Sequence, residues 1–171
     1  NYKNNSNLFQ KKFFLISRRL IPRTGVIELI KLINKLELNE FNFIVTGSGI
    51  LENEVKYLSK KNKNIFFLGE VSELKLLFLK KYSFGIIIPS IEAEGFCVLA
   101  KEGKLLDKFV IHTNQGGLSE ALHKYDKSFT FKINDKKTLF NCIYGTSNYQ
   151  INKNKRNYLS DNLSYKLENL L

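Results

Sequence analysis

FGIIIPSIEAEGFCVLAKEG, residues 84–103, reads as a strand, a polar loop and the first turns of a helix. Its first five residues carry no polar side chain and show no alternation, as in a strand covered on both faces. Pro89 and Ser90 stop the strand, and Gly95 is expected to open a helix that runs to about residue 106. The same pattern repeats outward in both directions. Short apolar runs at 13–17, 41–46, 65–68, 109–112 and 128–131 predict further strands. Helices are expected between them. Val26, Leu29, Ile30, Ile33 and Leu36 recur at helical spacing, and a Glu- and Lys-rich stretch covers 51–60. Leu74, Leu77 and Phe78 follow an N-cap at Ser72, and Gly116-Gly117 opens a helix to about residue 123. Weaker helical patterns lie at 136–144 and 157–170.

Strand and helix therefore alternate along the whole chain. Alternation with buried strands predicts an α/β fold, a doubly wound parallel sheet of about six strands, Rossmann-like, with right-handed crossovers. The organised domain is read as 13–147. A flexible polar segment at 1–12 precedes it, and a Lys/Asn-rich linker with a last helix follows over 148–171.

With 171 residues, 43% hydrophobic and 25% charged, the composition is that of one domain with a real core. No apolar run approaches the ~18 residues of a membrane span, and no signal-peptide pattern is read. The net charge of +11 comes mostly from Lys scattered among Asn and Ile, which looks like compositional bias. It also suits an anionic membrane surface. No basic-aromatic motif supports nucleic acid as a partner. Cys97 and Cys142 form no CxxC pair, and His112 and His123 fall on different elements, so neither a disulfide framework nor a metal site is expected. A cytoplasmic location follows from that cysteine usage, with peripheral attachment at the inner membrane face as the alternative.

In an open parallel sheet, ligands bind beyond the carboxyl ends of the strands. The loops to read are 18–25, 47–50, 69–72, 89–98 and 113–117. A helix opened by Gly95 leaves its first amides unpaired and adds a partial positive charge, a setting for phosphate. Glu94 would stand at its mouth and Glu102 ~12 Å further along the axis. A carboxylate accepts well from sugar hydroxyls, although either glutamate taken alone reads as a solvated charge. Arg19 ends a strand with a guanidinium fork suited to phosphate oxygens. Thr24 reads as the N-cap of the next helix. Gly47-Ser48-Gly49 lacks the third glycine of a dinucleotide fingerprint, so a nicotinamide cofactor is not expected.

Four motifs in and beside these loops together resemble a known family. Arg19-Leu20-Ile21-Pro22-Arg23-Thr24-Gly25 resembles G-R-L-x-P-x-K-G. The run from Pro89 through Ser90, Glu94 and Gly95 to Cys97 resembles P-S-x-x-E-E-G-F-G. Glu94 and Glu102 keep the E-x7-E spacing. Thr113, Gly116, Gly117 and Glu120 resemble T-x-x-G-G-x-x-E. The order and intervals are those of the retaining GT-B, GT4-like glycosyltransferases, in their C-terminal donor-binding domain.

The resemblance implies the C-terminal half of a GT-B fold that binds a nucleotide-sugar donor. It implies transfer to a glycan or lipid-linked acceptor, without metal or other cofactor. It implies catalytic roles for Glu94, on the transferred sugar, and Arg19, on the diphosphate. Glu102 would hold the ribose, amides near Phe96, Cys97 and Val98 would lie under the phosphates, and Val71 would lie against the base. Gly47, Arg23, Thr24, Gly116 and Gly117 complete the donor-binding set. The N-terminal acceptor domain would be the missing partner, and the chain alone would transfer little.

The pattern is also broken in places. Thr24 replaces the loop lysine, Cys97 the last glycine of G-F-G, and Arg18 the glycine before the arginine. Asp107 and Phe109 stand where Gly and Pro are usual. These losses leave open a degenerate donor-like domain that binds a partner or membrane. A nucleotide-sugar 2-epimerase is the other alternative on the same fold.

Overall fold

The computed structural model describes residues 8–152. Six strands, β1 (Lys12–Ser17), β2 (Phe41–Thr46), β3 (Ile65–Gly69), β4 (Gly85–Ile88), β5 (Phe109–His112) and β6 (Ser128–Thr130), alternate with helices. The helices are α1 (Val26–Ile33), α2 (Glu52–Ser59), α3 (Glu73–Tyr82), α4 (Val98–Leu105), α5 (Gly117–Ala121) and α6 (Lys136–Asn152), with a 3-10 turn at Pro22–Thr24. All strand pairs are parallel, and the sheet order is β3-β2-β1-β4-β5-β6. This is the expected doubly wound sheet.

Alternate residues of the strands feed opposite faces. Phe14 and Ile16 of β1 join Val26, Leu29 and Ile33 of α1 and Leu139 and Ile143 of α6. Phe13 and Leu15 join Ile44 and Leu79 on the other face. From β4, Ile87 packs with the first group, and Ile86 and Ile88 pack with Ala100 of α4 and Leu118 of α5. The ring of Phe14 lies 5.4 Å from Phe41, 5.9 Å from Phe43 and 5.5 Å from Phe84, which ties β1, β2 and the residue that leads into β4 on one face.

Several expectations change at element ends. α4 starts at Val98 rather than Gly95. Glu94 instead makes a parallel bridge to Gly116, and its carbonyl accepts the Gly117 amide at 2.6 Å, so the chain there is extended and cannot yet be helical. α1 stops at Ile33, short of Leu36. α6 runs to Asn152 through the start of the expected linker, and Gly145 does not end it. Leu8 and Phe9, in the segment expected to be loose, are buried, and the Asn42 side chain donates to the Leu8 carbonyl at 2.9 Å. The expected helix at 157–170 lies outside the described residues. Ser72 does cap α3, accepting from the Lys75 amide at 3.3 Å.

Two backbone positions carry opposite expectations. Gly25 sits at φ 69°, and a Cβ there would meet the Pro89 carbonyl oxygen at 1.9 Å. Exposed Lys124 sits at φ 55° although it is not glycine. Gly25→Ala should lose at least about 2 kcal/mol, from left-handed strain plus overlap. Lys124→Gly should gain about 1 kcal/mol by relieving the same strain. Urea unfolding of the three proteins measures both signs.

Candidate functional site

The sheet order reverses its winding between β1 and β4, so the loops that leave these strands diverge and open a crevice. A cleft of about 390 Å3 lies there, lined by Ser17, Arg18, Arg19, Ile21, Arg23 and Thr24 from the first loop. Glu94, Phe96, Cys97, Val98, Leu99 and Glu102 line it from the second loop and α4, and Lys80 from α3. The two loops are joined by main chain. The Ile91 amide donates to the Arg23 carbonyl at 2.9 Å, and the Gly25 Cα faces Pro89.

Thr24 is not the N-cap of α1. That position belongs to Gly25, and the buried Thr24 hydroxyl binds the Arg19 carbonyl at 2.8 Å and the Ile21 carbonyl at 2.7 Å. Thr24 thus braces the loop from within. Arg19 and Arg23 are exposed on the cleft wall with no ion pair among the described residues. Val98 and Leu99 open α4, and their amides have no intrahelical acceptor. Cys97 is buried beneath them, while Phe96 and Val98 stand out at the rim, with Lys101 Nζ 3.9 Å from the Phe96 ring centre.

Both glutamates lie in the cleft, but not along one helix. Glu94 precedes α4, and its Oε1 accepts from Ser90 Oγ at 2.7 Å and forms an ion pair with Arg18 Nη2. Glu102, on the second turn of α4, is held by Lys80 Nζ at 2.8 Å from Oε1 and 2.7 Å from Oε2. Burial is the main cause that holds the Arg18 guanidinium below its ordinary pKa; the Cys97 thiol opposes that shift and Arg23 adds to it. Arg18 still stays a cation. The Arg18 Nε is buried with no hydrogen-bond partner among the described residues.

Arg18, Lys80 and Ser90 are site residues that sequence reading missed. Arg18 registered only as a departure from a motif, and Lys80 and Ser90 carried no role. Gly47, Val71, Gly116 and Gly117 do not line the cleft. Gly47 donates its amide to the Gly69 carbonyl at 2.8 Å, and Gly116 and Gly117 hold the main chain of Glu94. In the cleft, Arg18, Arg19, Arg23 and Lys80 face Glu94 and Glu102, a surplus of two positive charges. With the α4 amides, that surplus suits a bound diphosphate. No group of three or more His, Cys, Asp or Glu among the described residues is placed to hold a metal ion.

The sequence matches the family described as glycosyl transferases group 1 over residues 1–162. An uncharacterized glycosyltransferase of Methanocaldococcus jannaschii is 36% identical over 113 residues, 64% of this chain and 31% of that protein. Among solved structures, a glycosyltransferase from Rickettsia africae superposes with a TM-score of 0.70 at 24% identity, over 94% of this chain and 44% of that one. Anabaena HepE, in complex with UDP and glucose, superposes with a TM-score of 0.68 at 20% identity, over 82% of this chain and 40% of that one. The chain therefore spans under a third of the curated relative and under half of either solved chain.

One titratable group stands behind the crevice loops. His112 ends β5, buried, with Nδ1 2.8 Å from the Thr113 carbonyl, so Nδ1 carries the proton and Nε2 accepts from Ser128 Oγ at 2.9 Å. Burial lowers its pKa below 6.5, and the bond to Thr113 only partly opposes this. The unfolded chain takes up this proton first as pH falls, so His112's contribution is complete above about pH 6.5 and is lost toward the lower folded value. Unfolding free energy measured from pH 7.5 to about pH 5 should fall in the wild type and fall less steeply in His112→Gln.

Proposed function

We propose, from the premise that this chain belongs to the glycosyl transferases group 1, that it is the half of such an enzyme that binds the nucleoside-diphosphate-sugar donor. The observation that carries this reading is the cleft at the switch point. Among the described residues Arg19 and Arg23 form no ion pair there, beside the open end of α4, while both carboxylates are ion-paired. A diphosphate engages these two guanidinium groups and the Val98 and Leu99 amides together. Glu94 then meets the transferred sugar on one side. Glu102 meets the ribose on the other, exchanging Lys80 for hydroxyl donors.

The donor is a UDP-hexose, and transfer retains the anomeric configuration. HepE was solved with UDP and glucose, and a trehalose-6-phosphate synthase of the same fold at TM-score 0.67 was studied for glycosyl transfer with retention. Both support this choice. In front-face displacement the bond from the anomeric carbon to the diphosphate breaks as the acceptor oxygen bonds to the same face and passes its proton to the departing diphosphate oxygen. No protein nucleophile is needed. The chain contributes orientation of the donor and electrostatic stabilisation of the departing diphosphate through Arg19, Arg23 and the α4 amides. The acceptor, a glycan or a lipid-linked sugar, approaches from a facing domain, so donor binding persists in this chain alone while transfer is slow. No helix among the described residues is long and apolar enough to cross a membrane. The +11 charge suits work at an anionic leaflet on a lipid-linked acceptor.

Calorimetric titration with UDP tests the site. UDP should bind the wild type, and Arg19→Ala should weaken it about 10- to 100-fold, the loss expected for charge-assisted hydrogen bonds. Glu102→Ala should weaken UDP and leave inorganic pyrophosphate unchanged. An absence of UDP binding, or an Arg19→Ala protein that binds as tightly as the wild type, would sink the assignment.

A further inference from the structure

We propose that Arg18 is a positioning residue that aims Glu94 at the donor sugar, an inference that rests on the reading of Glu94 as the sugar's acceptor. The two residues lie 76 positions apart and meet only because β1 and β4 are neighbours at the switch point. Arg18 Nη2 donates to Glu94 Oε1 and, at 3.2 Å, to Ser90 Oγ. Ser90 Oγ in turn donates to the same Oε1 at 2.7 Å. Ser90 is fully buried, and its carbonyl accepts from Thr113 Oγ1 at 2.6 Å, so the hydroxyl is fixed in place.

The main chain of Glu94 is fixed as well, by the bridge to Gly116 and the Gly117 amide at 2.6 Å. With its backbone held and one oxygen bound twice, the carboxylate has a single orientation. No hydrogen bond from the described residues engages Oε2, and Glu94 lines the cleft. Oε2 is therefore the oxygen offered to a sugar hydroxyl. Pre-set orientation of this kind spares the donor the cost of ordering the acceptor group.

Arg18 is committed to that task. Its side chain is 12% exposed, its Nη1 lies 3.9 Å from Cys97 Sγ, and its amide donates to the Thr46 carbonyl at 3.1 Å. Arg19 and Arg23, by contrast, are exposed and free of ion pairs among the described residues. The diphosphate falls to them, and Arg18 acts on the sugar alone, through Glu94. The arginine at this position is then a specificity device that replaces a glycine without blocking the cleft.

The test compares UDP with the tightest-binding of a panel of neutral UDP-hexoses, by calorimetry. The wild type, Arg18→Ala, Arg18→Lys and Ser90→Ala are each checked for native circular dichroism. In Arg18→Ala the ratio of UDP-hexose to UDP affinity should fall about tenfold, while UDP alone changes less than about threefold. Arg18→Lys should recover part of the ratio by restoring the cation, and Ser90→Ala should lower it in the same direction. Equal weakening of both ligands would make Arg18 a diphosphate ligand or a structural residue and overturn the inference. A ratio unmoved in every variant overturns it too. Should Arg18→Ala fail to fold, Arg18→Lys and Ser90→Ala decide by the same ratio. A wild type that binds no UDP refutes the donor site itself and the inference with it, whereas UDP binding with an unmoved ratio refutes the inference alone.

Discussion

Everything in this molecule depends on a sheet that must be covered on both faces. β1 supplies Phe14 and Ile16 to one core and Phe13 and Leu15 to the other, and β4 divides Ile87 from Ile86 and Ile88 in the same way. No single layer of helices can bury such strands. The chain therefore winds to one side through β1, β2 and β3, returns, and winds to the other side through β4, β5 and β6. The reversal happens where β1 and β4 lie together, and loops that leave neighbouring strands for opposite faces open a crevice between them. The cleft is a consequence of the core before it is a property of any polar residue.

The polar residues then give it a sign. Two carboxylates in a pocket would repel a diphosphate, yet each is matched by a cation from a different element, Arg18 from the end of β1 and Lys80 from α3. Among the described residues, Arg19 and Arg23 in the cleft are left without an ion pair. Charge balance and geometry come from separate parts of the chain: loop residues set the surplus, and the sheet sets the separation. Where the resembling motif has a lysine, Thr24 turns its hydroxyl inward to brace the loop, and Arg23 next to it lines the cleft.

The fold was legible because its signal is local and redundant. Six continuous apolar runs, each followed by a turn residue and a helical pattern, define the sheet, and errors of a few residues at their ends do not move it. The start of α4 was misread for a reason that no local pattern contains. Gly95 opens space, but the bridge from Glu94 to Gly116 holds the chain extended past it. Glu94, Glu102 and Arg19 were legible through motif spacing. Arg18 and Lys80 were not, because each matters only through a partner, 76 and 22 positions away. The positive φ of Asp107, by contrast, follows directly from its place after α4, where the Lys108 amide closes on the Gly103 carbonyl at 2.9 Å in a turn that glycine fills more easily.

The joints between the crevice loops are made of backbone. Gly25 lies against the Pro89 carbonyl, and Gly117 lies where a Cβ would fall 1.9 Å from the Gly95 carbonyl. Contacts between main chains do not depend on which side chains line the rim. A chain with these joints can exchange rim residues while the scaffold keeps its shape. The few glycines are the positions closed to such change, and the exposed rim residues between them are open to it.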